Sequence, residues 1–234
     1  MIGIIGAMQS EVDGLKQIMA QAEIKTVSSV EFVKGKISGI DIVVAQAGVG
    51  KVNAALTAQT MILVFGVNKI INIGVAGGLE PSLKIGDVVI ADKVCEHDMD
   101  TTPLGDLPGF ITGLDRVYME CDKEITELLY ESSCEMDIHT VKGTIASGDQ
   151  FISDNLQRTR IIDTFNGYAA EMEGAAIGHV CTMNNVPFCV LRAISDGAND
   201  DSVMDFPTFV KMAADRSIEI IKIMLNKMQE RNMI

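Results

Sequence analysis

"YAAEMEGAAIGHV", residues 168–180, changes character halfway along. It starts like the end of a strand and finishes like a helix, with Glu171 and Glu173 flanking Met172 at the junction. The same alternation recurs on both sides. "PFCVLRAIS" that follows is an apolar run of the kind covered on both faces. "MIGIIGA", "KIINIGVAG", "GDVVIADKV" and "HTVKGTIASGD" read as further strands, and residues 30–46 as a hairpin turning at Ser38-Gly39. Between them lie helical patterns. One is capped by Ser10 and carries Val12, Leu15 and Met19; another, "VGKVNAALTAQTMILVFG", is expected to be mostly buried. Others fall near 122–135 and in "NLQRTRIIDTF". The last runs from about Asp205 to Arg231, with Phe206, Phe209, Ala213, Ile220, Met224 and Met228 on one stripe. Residues 99–117, rich in Pro and Gly, read as a long loop. Strands alternating with helices predict an α/β layered fold with a largely parallel core, and the hairpin makes the sheet mixed.

Bulk properties narrow the class. The 234 residues suit one large domain or two small ones, and with 47% hydrophobic residues a sizeable core can form. No stretch reaches the ~18 uninterrupted apolar residues of a membrane span, and the first residues read as a strand rather than a signal peptide. A cytoplasmic protein is expected. The net charge of −13 disfavours nucleic acid and acidic membranes as partners. Five cysteines without a CxxC pair suggest free, buried thiols in a reducing compartment.

Sites in such sheets lie beyond the carboxyl ends of the strands. Here those ends are Gly6-Ala7, Ala47-Gly48, Val75-Ala76-Gly77, Ser147-Gly148-Asp149, Glu171-Met172-Glu173 and Ser195-Asp196-Gly197, rich in small residues and carboxylates but not cations. "AGVGKVN" is not a phosphate loop. Ala45 stands where the first glycine is required, and Val52 where Ser or Thr must follow Lys51. A backbone-approach role fits better. "EHDMD", residues 96–100, reads as a polar loop rather than a metal site, because no second histidine lies nearby. His139 and His179 read as structural. Glu11, in the first turn of a helix, is an acid placed where the helix dipole keeps it ionised. Arg192 in "CVLRAI" needs a partner if buried. For Glu171 and Glu173, a helix cap competes with a sugar site, since a carboxylate accepts hydrogen bonds from two adjacent hydroxyls.

The motifs "IGAMQSEV", "AGVGKVNAA", "INIGVAGGL", "GDVVIAD", "SGDQFI", "EMEGAAI" and "RAISDGA" fall in order from end to end. In combination the chain resembles the 5′-methylthioadenosine/S-adenosylhomocysteine nucleosidases of the nucleoside phosphorylase/hydrolase superfamily. The resemblance implies a three-layer α/β/α sandwich around a mixed central sheet, one nucleosidase domain over residues 1–234, and a homodimer with neither metal nor cofactor. It implies hydrolysis of the adenine–ribose bond of methylthioadenosine and S-adenosylhomocysteine, with 5′-deoxyadenosine as a further substrate, serving methionine salvage. Carried onto these positions, Glu11 activates water and Asp196 protonates the purine, supported by Ser195 and Arg192. Glu173 takes the ribose hydroxyls with Met172 against the sugar. Phe151 and the Ile152 backbone form the adenine segment, and Phe206 is a lid. Ala7 and Gly77 are strand-end substrate contacts. Leu104, in "DTTPLG" where many members carry an aromatic residue, reaches the site from the partner subunit. Such chemistry passes through an oxocarbenium-like transition state and needs a protonated leaving group, so a carboxyl raised by apolar burial is expected at Asp196 and an ionised one at Glu11. Rival readings are a purine nucleoside phosphorylase, a nucleosidase for another adenine nucleoside such as aminodeoxyfutalosine, and a non-catalytic nucleoside-binding module.

Overall fold

The computed structural model of the chain describes residues 1–196, 206–231 and 233. The order is β1 (Ile2–Gly6), α1 (Gln9–Ile18), β2 (Ala20–Val27), β3 (Val30–Ile37), β4 (Ile40–Gln46), α2 (Lys51–Phe65), β5 (Lys69–Gly78), β6 (Val88–Glu96), β7 (Tyr118–Glu120), α3 (Lys123–Cys134), β8 (Thr140–Ser147), α4 (Asn155–Phe165), β9 (Gly167–Glu171), α5 (Gly174–Asn184), β10 (Phe188–Asp196) and α6 (Phe206–Glu230).

The ten strands among the described residues join one mixed sheet, ordered β10-β6-β8-β9-β5-β1-β4-β3-β2, with β7 against β6. β10 also pairs with β5, in parallel, from Phe188↔Ile70 to Asp196↔Gly77. Strands β5, β10, β6, β8 and β9 therefore close on themselves, and β1, β4, β3 and β2 extend from that ring. α1, α3 and α6 pack on one side, α2 and α5 on the other, which gives the three expected layers. Central strands are buried on both faces: Ile4, Ile5, Ile70, Ile73, Val190 and Leu191 are all core residues. That burial is why they read as unbroken apolar runs.

Helix ends follow local chemistry. Asp122 and Asp154 accept backbone N–H groups at the starts of α3 and α4. Gly66, Asn166 and Asn185 take the left-handed conformation that ends α2, α4 and α5.

Three expectations need correction. Ser10 does not cap α1; the cap position is Met8, because Glu11 reaches back to accept its N–H, and Met19 lies just past the helix end. α2 is not mostly buried. Ala54, Thr57, Ala58 and Met61 face the core, while Val52 and Leu63 are 78% and 72% exposed. β2 was not expected at all; it is an edge strand exposed along nearly its whole length, so it carries no apolar alternation. On α6, Ala213, Ile220, Met224 and Met228 are buried as expected, but the side chains of Phe206 and Phe209 lie outside the described residues. Cys95, Cys121, Cys181 and Cys189 are buried free thiols, and Cys134 is exposed. Among the described residues no helix is long and apolar enough to cross a membrane.

Candidate active site

A cavity opens where β1, β5, β9 and β10 end. It brings together Ala7, Glu11, Gly77, Phe151, Ile152, Met172, Glu173, Arg192, Ser195 and Asp196, ten residues singled out above. Phe206, the first residue of α6, has its side chain outside the described residues. Leu104 sits in a 3-10 turn, 83% exposed, and does not line this chain's cavity.

The floor is a buried charge cluster. Glu11, Glu171 and Glu173 are 2%, 7% and 5% exposed, and Arg192 is 1% exposed. Arg192 comes up from the middle of β10, where only a paired charge is tolerated. Its Nη2 pairs closely with Glu171 and lies 3.4 Å from Glu173 Oε2 and 2.5 Å from Asn72 Oδ1. Its Nη1 donates to the Ile73 carbonyl at 3.2 Å. No bond joins Arg192 to Asp196 in this arrangement, so the expected support of Asp196 by Arg192 is replaced by support of the two glutamates. Asn72, whose Nδ2 holds the Ile5 carbonyl, was missed, although a lone polar residue in "KIINIGVAG" was the signal.

The two neighbouring glutamates divide the roles that their spacing left open. Glu171 is the cap. Its carboxylate accepts the N–H groups of Glu173 and Gly174 at 2.9–3.0 Å and the Ser147 hydroxyl, while Ser147 Oγ accepts the Ala175 N–H. Glu171 is therefore committed to the start of α5 and has no oxygen facing a sugar unopposed. Glu173, at the N-cap position, makes no capping bond. Its Oε1 accepts the Gly50 N–H at 2.9 Å. Gly50 has φ +101, a conformation that glycine adopts without strain, and this lets the backbone of "AGVGKVN" approach the carboxylate. Burial first, then the charge of Glu171, pushes the Glu173 carboxyl up to about 7, against the pull of Arg192 and the Gly50 N–H.

Glu11 Oε2 accepts the N–H groups of Ala7 and Met8 at 2.7 and 2.9 Å. These bonds and Arg192 favour the ionised form, but burial outweighs them, and the carboxyl is raised above its ordinary value. The helix start alone had suggested the opposite balance. Gly74 leaves the space between the two groups: a Cβ there would fall 2.0 Å from Arg192 Nη1 and 2.7 Å from Glu11 Oε1.

At the other end, Asp196 is not enclosed by apolar groups as expected. Its side chain is 40% exposed; Oδ1 lies 2.8 Å from Ser195 Oγ, and Oδ2 accepts Arg158 Nη2 at 2.5 Å. Phe151 beside it is 74% exposed, and Ile152 is buried. Arg158, Met8, Val49, Val75, Leu79 and Gln150 also line the cavity and had not been singled out.

Two charged clusters outside the cavity are internally paired. In "EHDMD", Glu96 and Asp98 hold Lys51 Nζ at 2.8 and 2.7 Å, and His179 Nδ1 lies 3.0 Å from Glu96. Burial would raise the Glu96 carboxyl, but His179 and Lys51 prevail and lower it. His139 pairs with Asp87 at 2.9 Å.

Residues 1–226 match the model of the phosphorylase superfamily. The chain is 38% identical, over 98% of its length and 99% of the relative's, to a 5′-methylthioadenosine/S-adenosylhomocysteine nucleosidase of Anoxybacillus flavithermus. A solved nucleosidase of that name from Campylobacter jejuni is similar with TM-score 0.92 and 34% identity, covering 97% of this chain and 98% of that one. A futalosine hydrolase of Helicobacter pylori is similar with TM-score 0.90 and 36% identity, covering 97% of each chain.

Proposed function

We propose a function from the premise that this chain belongs to the phosphorylase superfamily, and within it to the 5′-methylthioadenosine/S-adenosylhomocysteine nucleosidases. The protein hydrolyses the bond between adenine and ribose in these nucleosides. Adenine and the 5-substituted ribose are released. Within that reaction Glu11 orients and deprotonates water, Glu173 accepts the ribose hydroxyls with Met172 against the sugar, and Asp196 delivers a proton to the purine. Phe151 and Ile152 flank the base, Ser195 orients Asp196, and Ala7 and Gly77 offer backbone at the strand ends.

One observation carries hydrolysis over phosphorolysis. The cations lining the described cavity are Arg158 and Arg192, and both are paired with carboxylates. An attacking phosphate brings its own negative charge and needs donors to offset it, whereas the Glu11 carboxylate, which holds the Ala7 and Met8 N–H groups through one oxygen, suits water. The three buried carboxylates around the sugar position also favour a cationic transition state.

A homodimer in the cytoplasm, acting in methionine salvage, completes the reading. Supporting the dimer, Val52 and Leu63 on α2, Met183 on α5, and Leu104 and Leu107 are large apolar side chains at least 66% exposed. A second substrate reading rests on the similarity to a futalosine hydrolase. Measuring adenine release from methylthioadenosine, S-adenosylhomocysteine and aminodeoxyfutalosine separates them. The proposal expects the first two to turn over; release from aminodeoxyfutalosine alone would replace it.

A further inference from the structure

Arg158 has no part in the reaction as described, yet it touches the residue assigned as the acid. It projects from the first half of α4 into the cavity, with its side chain 15% exposed, and donates to Asp196 Oδ2 at 2.5 Å. The other Asp196 oxygen faces Ser195 Oγ at 2.8 Å. Both oxygens of the carboxyl are thus engaged. A purine nitrogen that receives a proton from Asp196 must approach one of them, and Ser195 is anchored by the Ala76 carbonyl at 3.1 Å. Oδ2 is the oxygen that can be given up. Arg158 and the purine compete for one atom.

We propose that Arg158 is a positioning residue for Asp196 that the purine displaces. Arg158 fixes the carboxyl toward the cavity through a charge-assisted bond, and adenine replaces that bond with its own. The guanidinium stays charged throughout and no proton passes through it. Asp196 takes a proton from solvent hydronium as Arg158 withdraws. It passes that proton to the ring nitrogen while the bond to the ribose carbon breaks, its electron pair going to adenine. The proton that Glu11 removes from the attacking water returns to solvent, so protons balance over the cycle. Asp196 is left as a carboxylate, which Arg158 pairs with again, and this helps expel the base. The proposal rests on Asp196 being the acid.

Three variants test it. Arg158→Gln should bind adenine about tenfold more tightly by calorimetry, the scale of one charge-assisted bond no longer lost. Its kcat should fall together with KM, because the base leaves slowly. Arg158→Lys should lie between Arg158→Gln and the parent on both readouts. In an Asp196→Asn background, Arg158→Gln should leave adenine affinity unchanged. Unchanged or weaker adenine binding in a folded Arg158→Gln protein overturns the proposal; if that variant does not fold, the same result in Arg158→Lys does so. The two claims fail separately. Near-normal turnover of Asp196→Asn defeats the acid assignment itself. A collapse in Asp196→Asn with parental adenine binding in Arg158→Gln defeats only the role of Arg158.

Discussion

At the proposed sugar end of the cavity, Glu11, Glu171 and Glu173 surround Arg192, all four buried, with backbone N–H groups from Ala7, Met8, Gly50 and Gly174 aimed at their oxygens. At the proposed base end, Asp196 is 40% exposed and Phe151 stands 74% exposed, and the polar partners are two side chains, Ser195 and Arg158. The first end is built into the sheet. Its charges were desolvated during folding, so they need no reorganisation when a cationic sugar develops. The second end lies at the mouth, where water still solvates the acid and binding has to exclude it. The rigid end suits the ribose, where positive charge develops, and the open end suits a base that must enter and leave.

The largest effects should follow from removing the two acid–base groups, one from each end. Glu11→Gln should lower turnover by about 100- to 10,000-fold while a nucleoside inhibitor still binds, because the shape remains and the base is lost. Asp196→Asn should lower adenine release by about 100-fold or more with folding intact, since its exposed position contributes little to the core. Steady-state kinetics and inhibitor titration check both. Parental kinetics in either variant would remove that residue from the mechanism.

The two neighbouring glutamates sharpen the contrast within the buried end. Glu171→Ala leaves Arg192 without its closest partner and α5 without its cap, so unfolding free energy should fall by about 3–5 kcal/mol. Glu173→Gln removes a charge that burial disfavours, so stability should hold or rise while KM increases. Denaturant unfolding and kinetics together test this. A stable Glu171→Ala protein with a raised KM would reverse the two roles.

A smaller effect concerns pH. Glu173 titrates near 7 in the folded protein and near 4.5 when unfolded, and Glu11 is displaced in the same direction. Between those values the folded state holds more protons than the unfolded chain. The stabilisation is present in full below about 4.5 and is lost as pH rises through about 7, at up to about 1.4 kcal/mol per pH unit for each group. Melting of the protein without nucleoside should therefore shift downward from pH 5 to pH 8, and Glu173→Gln should flatten that slope. A melting temperature that climbs over this range contradicts the assignment.

The smallest expected effect lies outside this cavity. If the partner subunit supplies Leu104, Leu104→Asp should weaken methylthio-nucleoside binding with little change in adenine affinity. Equal affinities, or an active monomer by sedimentation, would remove Leu104 from the site.

The same contrast explains what the sequence disclosed. β10 was legible because burial on both faces leaves "PFCVLRAIS" without alternation, and Arg192 within it announced a need for a partner. The partner itself was not legible, since Glu171 lies 21 residues away and meets Arg192 only through strand pairing. Glu11 was visible as an acid at a helix start; the depth of its burial, which reverses the sign of its shift, depends on β5 and β10 packing around it. Arg158 gave no signal. "NLQRTRIIDTF" carries Arg158 and Arg160, and only the placement of α4 beside the end of β10 selects the first. Exposed features were hidden for the opposite reason: β2 is paired by its backbone and leaves little trace in its side chains.

The central claim is that water, oriented by Glu11, attacks the sugar in a cavity whose cations, among the described residues, are already paired. The direct measurement is the identity of the sugar product when the protein acts on methylthioadenosine with and without phosphate. Mass spectrometry should find free 5-methylthioribose in both cases, at rates that do not depend on phosphate. A sugar 1-phosphate, or turnover that requires phosphate, would contradict the account and make the protein a phosphorylase.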